Sequence, residues 1–367
     1  MSIFRIVTYF MLCTGFALAQ LKPEFSYIGE FANNFQGGIK AGTTYEGLVN
    51  AKVTLNTESS HIWSGGEFCI AVINTHGGMP SQALFGDFQT CSNIQAGNIT
   101  YLHEMWYHHT IADVDLTVGM QNVNAEFIVS ENGGGFLNSS FGIPPTFSSN
   151  LPAPIFPHTA LGATLQWKVN SAVLLQTALY NGLPSDDSHN LSWKISKDNG
   201  YLSIAEIQYT DSLISKLNRT FKIGLYYHSA LIQMNQSNNR ERSFEKRYGF
   251  YLNADQAIFD CGDEGSLNIF AQFCLSPQTE LNQFLYAGSG FVYKGLFYTN
   301  DACGLAYAGC FFRSSKTTES VIELNYEIPL TEHIYLQPDM QYVINPGGTI
   351  SSLQNTVAAI LRFGCNY

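Results

Sequence analysis

The residues that could carry catalytic or metal chemistry do not form a recognisable motif. His103, His108 and His109 lie close together in the sequence, but their spacing relative to carboxylates does not suggest a closed metal site. Ser289 lies between two glycines, yet the G-x-S-x-G pattern of an activated nucleophile is absent. The run Gly133–Gly135 lacks the following Lys-Ser/Thr of a phosphate-binding loop. The sequence therefore predicts a protein that is not an enzyme, with no cofactor and no metal.

Polar side chains that could bind a polar solute recur at every second position of several segments. Apolar residues alternate with polar or small ones in 114–121, 161–169, 322–328 and 334–344. Amide side chains donate and accept hydrogen bonds and carboxylates accept them, so such a row could hold a hydroxyl-rich molecule. The alternative is a solvated row with no role in recognition. The residues assigned to this wet face are Asp115, Gln121, Gln166, Lys168, Asn325, Gln337, Asp339 and Gln341.

The alternation itself predicts β-strands, each with one apolar and one wet face. The segments run to about 10 residues, the length that crosses a membrane at a tilt, whereas ordinary strands average about 5–6 residues. Charged residues make up only 13% of the chain, against about 25% in a typical soluble domain. A soluble β-sandwich would give the same alternation, but segment length and composition favour an all-β transmembrane barrel of the bacterial outer membrane.

Counting back from Tyr367 gives about 16 antiparallel strands, an even number as expected for a single-chain bacterial barrel. The segments lie near 36–44, 45–57, 66–75, 97–108, 113–122, 159–169, 171–181, 201–210, 220–230, 246–257, 266–275, 284–294, 304–313, 318–329, 333–345 and 355–367. Short connections at 111–112, 170 and 329–332 are predicted to lie on the periplasmic side. Long connections are predicted on the external side, at 76–96, 123–158, 182–200 and 231–245.

The longest connection, 123–158, follows strand five and is predicted to fold into the lumen as a constriction loop. Its glycines and prolines exclude long regular structure, and an irregular connection of this length is usually functional. The alternative is an external cap. The polar residues of this loop are candidates for contact with a solute, or for hydrogen bonds that hold the loop to the wall. They are Asn124, Glu126, Asn138, Ser139 and Ser140.

Residues 1–19 are predicted to be a cleaved signal peptide and 20–367 a single barrel domain. Arg5 precedes an apolar stretch from Ile6 to Phe16, and Ala17-Leu18-Ala19 fits an A-x-A cleavage site. Cleavage removes one of the 18 basic residues and none of the 29 acidic ones, so the mature charge falls from −11 to −12. A nucleic-acid-binding protein would be basic, so nucleic acid is not expected as a partner.

Seven of the eight cysteines remain after this cleavage, and export makes disulfides possible. Cys303 and Cys310 could flank a tight connection, and Cys69 with Cys91 could tie the base of a loop. The connectivity does not follow from spacing, and an odd number leaves at least one thiol unpaired or intermolecular.

Several stretches, in the right order over about 25–367, resemble OprB-type carbohydrate-selective porins. They include 122–127, 136–143, 155–157, 251–256 and 336–348. The resemblance implies a sixteen-stranded outer-membrane barrel with passive, sugar-favouring diffusion. The expected partners are mono- or disaccharides, small ions and outer-membrane lipids, and a homotrimer is compatible with the family.

The chain departs from these relatives in its many cysteines and in 160–166, where relatives often place a basic residue in the strand. Basic pore residues can donate hydrogen bonds to sugar hydroxyls. Since an acidic lumen favours cations, the net charge leaves an alternative open, a general cation-leaning porin without sugar preference.

Overall fold

The computed structural model describes residues 21–184, 199–211, 217–229, 246–260, 265–298, 300–350 and 353–367. Within these residues sixteen strands pair antiparallel with their neighbours along the chain, and the last strand pairs with the first to close a barrel. The strands are β1 (Leu21–Gln36), β2 (Gly42–Asn56), β3 (Gly66–Gly77), β4 (Ile99–Ile111), β5 (Val114–Gln121), β6 (Ala160–Lys168), β7 (Val173–Asn181), β8 (Tyr201–Asp211), β9 (Arg219–His228), β10 (Arg247–Asp260), β11 (Ser266–Leu275), β12 (Gln283–Lys294), β13 (Ala302–Phe312), β14 (Thr317–Pro329), β15 (Ile334–Ile344) and β16 (Thr356–Asn366).

Short helical turns occur in the connections between strands. They are Ser81–Phe85, Val123–Ala125, Gly133–Gly135, Ser139–Gly142, Pro145–Ser148 and Pro346–Gly348. Residues 78–98 form the β3–β4 loop, and residues 122–159 form the β5–β6 loop. In the described parts of the chain, no helix has both the length and the apolar content needed to cross a membrane.

The two faces of the wall differ in the way the alternation predicts. Ile207 on β8 and Leu225 on β9 face outward and are 54% and 62% exposed, whereas the neighbouring Glu206 faces inward and is 2% exposed. Large exposed apolar side chains continue around the barrel on β3, β12 and β14. A belt of this kind would be unfavourable in water, since apolar surface costs roughly 25 cal/mol per Å². It fits the hydrocarbon of a bilayer.

Fifteen of the predicted strands overlap strands of the structure, and the first one was misplaced. The sequence predicts a strand near 36–44, but β1 ends at Gln36 and 37–41 form the turn to β2. Gly37 and Gly38 have φ values of 75° and 61°, a conformation that suits glycine in a turn and not a strand. Pro23 breaks the pattern of the real strand near its start, where proline is tolerated.

Neither of the suggested disulfides forms. Cys303 and Cys310 both lie in β13, so no connection separates them, and seven residues of strand place them roughly 23 Å apart. Cys69 in β3 and Cys91 in the β3–β4 loop are buried free thiols. Cys261 lies outside the described residues, as do most of the predicted external loops 182–200 and 231–245.

Candidate pore constriction

The β5–β6 loop packs against the inner face of the wall. Phe141 contacts Phe270 of β11 edge-to-face at 6.0 Å between ring centroids, and Phe147 contacts Tyr226 of β9 at 4.9 Å. These residues belong to one buried apolar cluster, which also includes Tyr180, Tyr251 and Tyr286 of the wall. One side of the lumen is therefore filled by a core and closed to solutes.

Glu323 on β14 holds the middle of this loop by its backbone. Its two carboxylate oxygens accept hydrogen bonds from Leu137 N at 2.6 Å and Asn138 N at 3.0 Å. The side chain is fully buried, and hydrogen bonds from backbone N–H groups to a carboxylate are stronger than neutral ones. The carboxylate thus fixes a stretch of loop that has no regular structure of its own.

Two further wall carboxylates hold the first part of the loop. Glu206 on β8 accepts from Ile128 N at 3.2 Å and from the Tyr251 hydroxyl at 2.6 Å. Asp255 on β10 accepts from Asn132 N at 3.0 Å and from the Ser130 hydroxyl at 2.8 Å. Both carboxylates face the lumen, so the acidic residues of the wall serve as acceptors for the loop.

Glu319 on β14 holds the β3–β4 loop in the same way. It accepts from Phe88 N at 2.7 Å, Gln89 N at 2.8 Å and Gly347 N at 2.5 Å. The neighbouring Asp87 is buried, and this burial raises the pKa of its carboxyl group to about 6. The two acids lie where the loop meets the wall.

The two loops also bind each other. Ser139 N donates to Thr90 O at 2.9 Å, Asn93 N donates to Leu137 O at 2.8 Å, and the Ser139 hydroxyl donates to Ser92 O at 3.1 Å. The β3–β4 and β5–β6 loops therefore form one unit inside the barrel.

Four of the eight predicted wet-face residues lie between this unit and the wall. Gln337 and Asn325 both donate to Gly135 O at 2.9 Å, and Gln341 donates to Cys91 O at 2.8 Å and to Asp339 at 3.0 Å. Gln337, Asp339 and Gln341 are at most 3% exposed. Loop backbone covers these three side chains and leaves them little surface for contact with a solute, so a role in binding stays a prediction.

Three other predicted residues are also buried. Asn138 is fully buried and donates to Gln341 at 3.1 Å, while Ser140 is bonded to Asn138 at 2.7 Å. Gln121 is 6% exposed and donates to Thr117 O and Gly162 O. The polar atoms of Asn138 and Ser140 hold the loop in place, as the alternative for the loop residues expected, whereas those of Gln121 bind strand backbone.

Asn124, Ser139 and Glu126 keep accessible surface in the lumen. Asn124 and Ser139 line a cavity of about 460 Å³ that both loops border, together with Thr90, Asn93, Gln95 and Phe156. Its volume is in the range of small-molecule sites, about 300–1,000 Å³. Glu126 is exposed and accepts from Gln166 Nε2 at 2.7 Å.

Asp115 lies away from this cavity, close to the turn between β4 and β5. Its carboxylate contacts Lys168 Nζ at 2.9 Å and accepts from the Thr110 hydroxyl at 2.6 Å. Within this ion pair, the Lys168 side chain is exposed, whereas Asp115 is only 7% exposed. Asp115 is therefore placed as a partner for Lys168 near one mouth of the barrel.

Four functional residues were missed by the sequence reasoning, namely Glu206, Asp255, Glu319 and Glu323. A carboxylate at an inward position of a strand is a weak signal, because it also fits a solvated lumen. What distinguishes these four is the loop backbone above them, and the sequences of the β3–β4 loop and the 38-residue β5–β6 loop give no local pattern for the path of either loop.

The closed antiparallel barrel with loops packed inside it defines a porin-type channel. OprB of Pseudomonas putida is 18% identical with a TM-score of 0.84, covering 98% of this chain and 97% of that one. OmpF of Salmonella typhi is 8% identical with a TM-score of 0.61, covering 95% and 97%, and a loop-deletion mutant of OmpT of Vibrio cholerae is 8% identical with a TM-score of 0.57, covering 95% and 100%. These identities establish the fold alone, and no curated protein matches.

The family model of the carbohydrate-selective porins, OprB family, matches residues 40–367. The chain belongs to this family. It is an outer-membrane porin for carbohydrates, a channel and not an enzyme.

Proposed function

We propose that small neutral sugars diffuse passively through the opening bordered by the β3–β4 and β5–β6 loops. The observation that carries this proposal is the cavity to which both loops contribute, with Asn124 and Ser139 at its surface. Amide and hydroxyl groups can exchange hydrogen bonds with sugar hydroxyls without binding them tightly, and weak binding is what conduction requires. Monosaccharides and disaccharides are the expected solutes, and small ions pass with them.

The acidic net charge is a weaker argument against sugar preference than the composition suggests. Four inward carboxylates are occupied by loop or side-chain donors, and Glu30 forms an ion pair with Arg362. These carboxylates lie beneath loop backbone or beside a cation, so they are not in direct contact with a solute in the open part of the lumen. The cation-leaning alternative rests on the total charge alone, so sugar diffusion is the function that the geometry supports best.

Uptake into liposomes tests the proposal. Vesicles carrying the purified porin should swell fastest in monosaccharides and more slowly in disaccharides, with a sugar-dependent block of ion current in planar bilayers. Swelling that depends only on solute size, with no current block by any sugar, would contradict the proposed preference.

We further propose that the mature chain begins at Gln20 and assembles as a homotrimer in contact with outer-membrane lipids. Polar side chains on outward positions support a protein contact there: Asn33 donates to Thr43 at 2.5 Å, and Asn74 donates to Thr100 at 2.5 Å. Polar groups facing lipid are unfavourable, so a second copy would cover them. Intact mass of the exported protein tests the cleavage site, and native mass spectrometry in detergent tests the trimer.

A further inference from the structure

The cavity between the two loops has an unusual mixture of side chains. The β5–β6 loop contributes apolar residues, among them Ile143, Ile155 and Phe156, and the β3–β4 loop contributes the polar residues Asn93 and Gln95. A ring-form sugar also has an apolar and a polar surface, with C–H groups across its face and hydroxyls around its edge. The lining is therefore suited to a ring and not simply to any hydrated solute.

Phe156 alone is aromatic among the described residues that line this cavity. Its ring is backed by the ring of His103 on β4, edge-to-face at 6.3 Å. His103 is itself fixed, because its Nδ1 lies 3.1 Å from Pro157 O and its carbonyl accepts from the Thr159 hydroxyl at 2.5 Å. Phe156 is half-buried and lines the cavity, so part of its side chain is accessible to a solute there.

Gln95 and Asn124 offer complementary hydrogen-bonding groups to the same cavity. Gln95 Oε1 accepts from Ser81 N at 2.8 Å, which leaves its NH₂ group without an acceptor in the described residues. Asn124 Nδ2 donates to Phe127 O at 3.3 Å and Gly142 O at 3.2 Å, which leaves its Oδ1 open. A sugar hydroxyl both donates and accepts, so it can use both groups.

The described lining residues carry no charge. The nearby guanidinium of Arg362 is 7% exposed and is paired with Glu30 and with Asn93 Oδ1 at 2.6 Å. An anionic sugar would find no free cation to compensate the loss of its hydration. The cavity therefore favours neutral solutes.

We infer that Phe156 is the specificity-determining residue of the constriction, a platform that favours neutral ring-form sugars over linear polyols with the same hydroxyl groups. This inference rests on the proposed function and names its substrate class. Stacking of a C–H face on an aromatic ring adds a contact that a linear polyol cannot form with the same surface.

Current block by glucose and by sorbitol in planar bilayers tests the inference, with F156L, F156W and the control F88L. Phe88 is an aromatic residue of the β3–β4 loop that contacts Phe312 and does not line the cavity. For F156L we expect the half-blocking glucose concentration to rise about three- to tenfold, the range of an aromatic contact, while sorbitol changes little. F156W should restore glucose block, and F88L should leave it unchanged.

The outcomes separate this inference from the proposed function. If glucose fails to block the wild-type channel, the sugar-porin proposal fails. If glucose blocks the wild type but F156L changes the glucose and sorbitol values equally or not at all, only the role of Phe156 is overturned. Heat-modifiable migration on gels establishes that each variant forms a folded barrel.

Discussion

At the residue scale, the wall carboxylates act as acceptors for loop backbone. Glu323 is fully buried and accepts hydrogen bonds from two backbone N–H groups that have no other acceptor among the described residues. An unsatisfied buried polar group costs about 1–3 kcal/mol, and more when it is charged. Removing this acceptor should therefore loosen the loop.

E323Q is expected to destabilise the loop and to raise single-channel conductance. The amide of glutamine has one acceptor oxygen, so its NH₂ group must face either Leu137 N or Asn138 N, which are both donors. We expect a loss of about 1–3 kcal/mol of local stability, seen as noisier and larger channel currents. E327Q on the same strand, where no loop backbone is bound by the side chain in the described contacts, is the control. Equal currents in E323Q and wild type would contradict the role of Glu323.

Asp87 gives the β3–β4 loop a pH dependence. Burial raises the pKa of its carboxyl group from 3.8 to about 6, so the folded state binds the proton more tightly than the unfolded state. Its contribution to stability is then fully present below about pH 4 and is lost as the pH rises through about 6. We expect the thermal midpoint of the wild type to fall relative to that of D87N across this window, followed by circular dichroism in detergent. A constant difference between the two proteins from pH 4 to 7 would contradict the raised pKa.

At the element scale, the β5–β6 loop determines how much of the lumen stays open. Phe136, Phe141 and Phe147 bury themselves against the wall, and the loop occupies the volume that a solute would otherwise use. Removing residues 128–150 while joining the remaining ends should raise conductance and lower discrimination between monosaccharides and disaccharides. It should also lower thermal stability, because Tyr226 and Phe270 would become exposed to water. Unchanged conductance in a barrel that still shows heat-modifiable migration would contradict a role of this loop in constriction.

The elements were predictable from the sequence to very different degrees. Strands such as β14 and β15 have strict alternation, which a two-faced wall requires, so their positions follow from local pattern. The turn at Gly37 and Gly38 was missed because Pro23 interrupts the alternation of β1, so β1 was not recognised as a strand. The roles of Asn138 and Gln341 could not be read at all, since they depend on a contact between residues 203 positions apart. The local pattern predicts on which side of the barrel wall a side chain lies. Whether that side chain is exposed depends on the path of the loop.

At the scale of the whole molecule, net charge and effective pore charge differ. The chain carries a net charge of −11, yet the inward acids on β8, β10 and β14 are covered by loop backbone. An ion in the lumen meets mainly exposed charges, and those are partly paired, as Lys168 is with Asp115. We therefore expect a weaker cation preference than the composition suggests.

Reversal potentials in a salt gradient measure that preference directly. We expect only a small cation selectivity for the wild type, and E126Q should reduce it further because Glu126 is exposed in the lumen. E323Q removes the same formal charge from a fully buried site, so it should change conductance more than selectivity. The pair of variants compares an exposed acid with a covered one at equal change in net charge. Equal shifts in selectivity for both variants would mean that total charge determines the ion selectivity of the pore. That result would favour the alternative of a general cation-leaning porin.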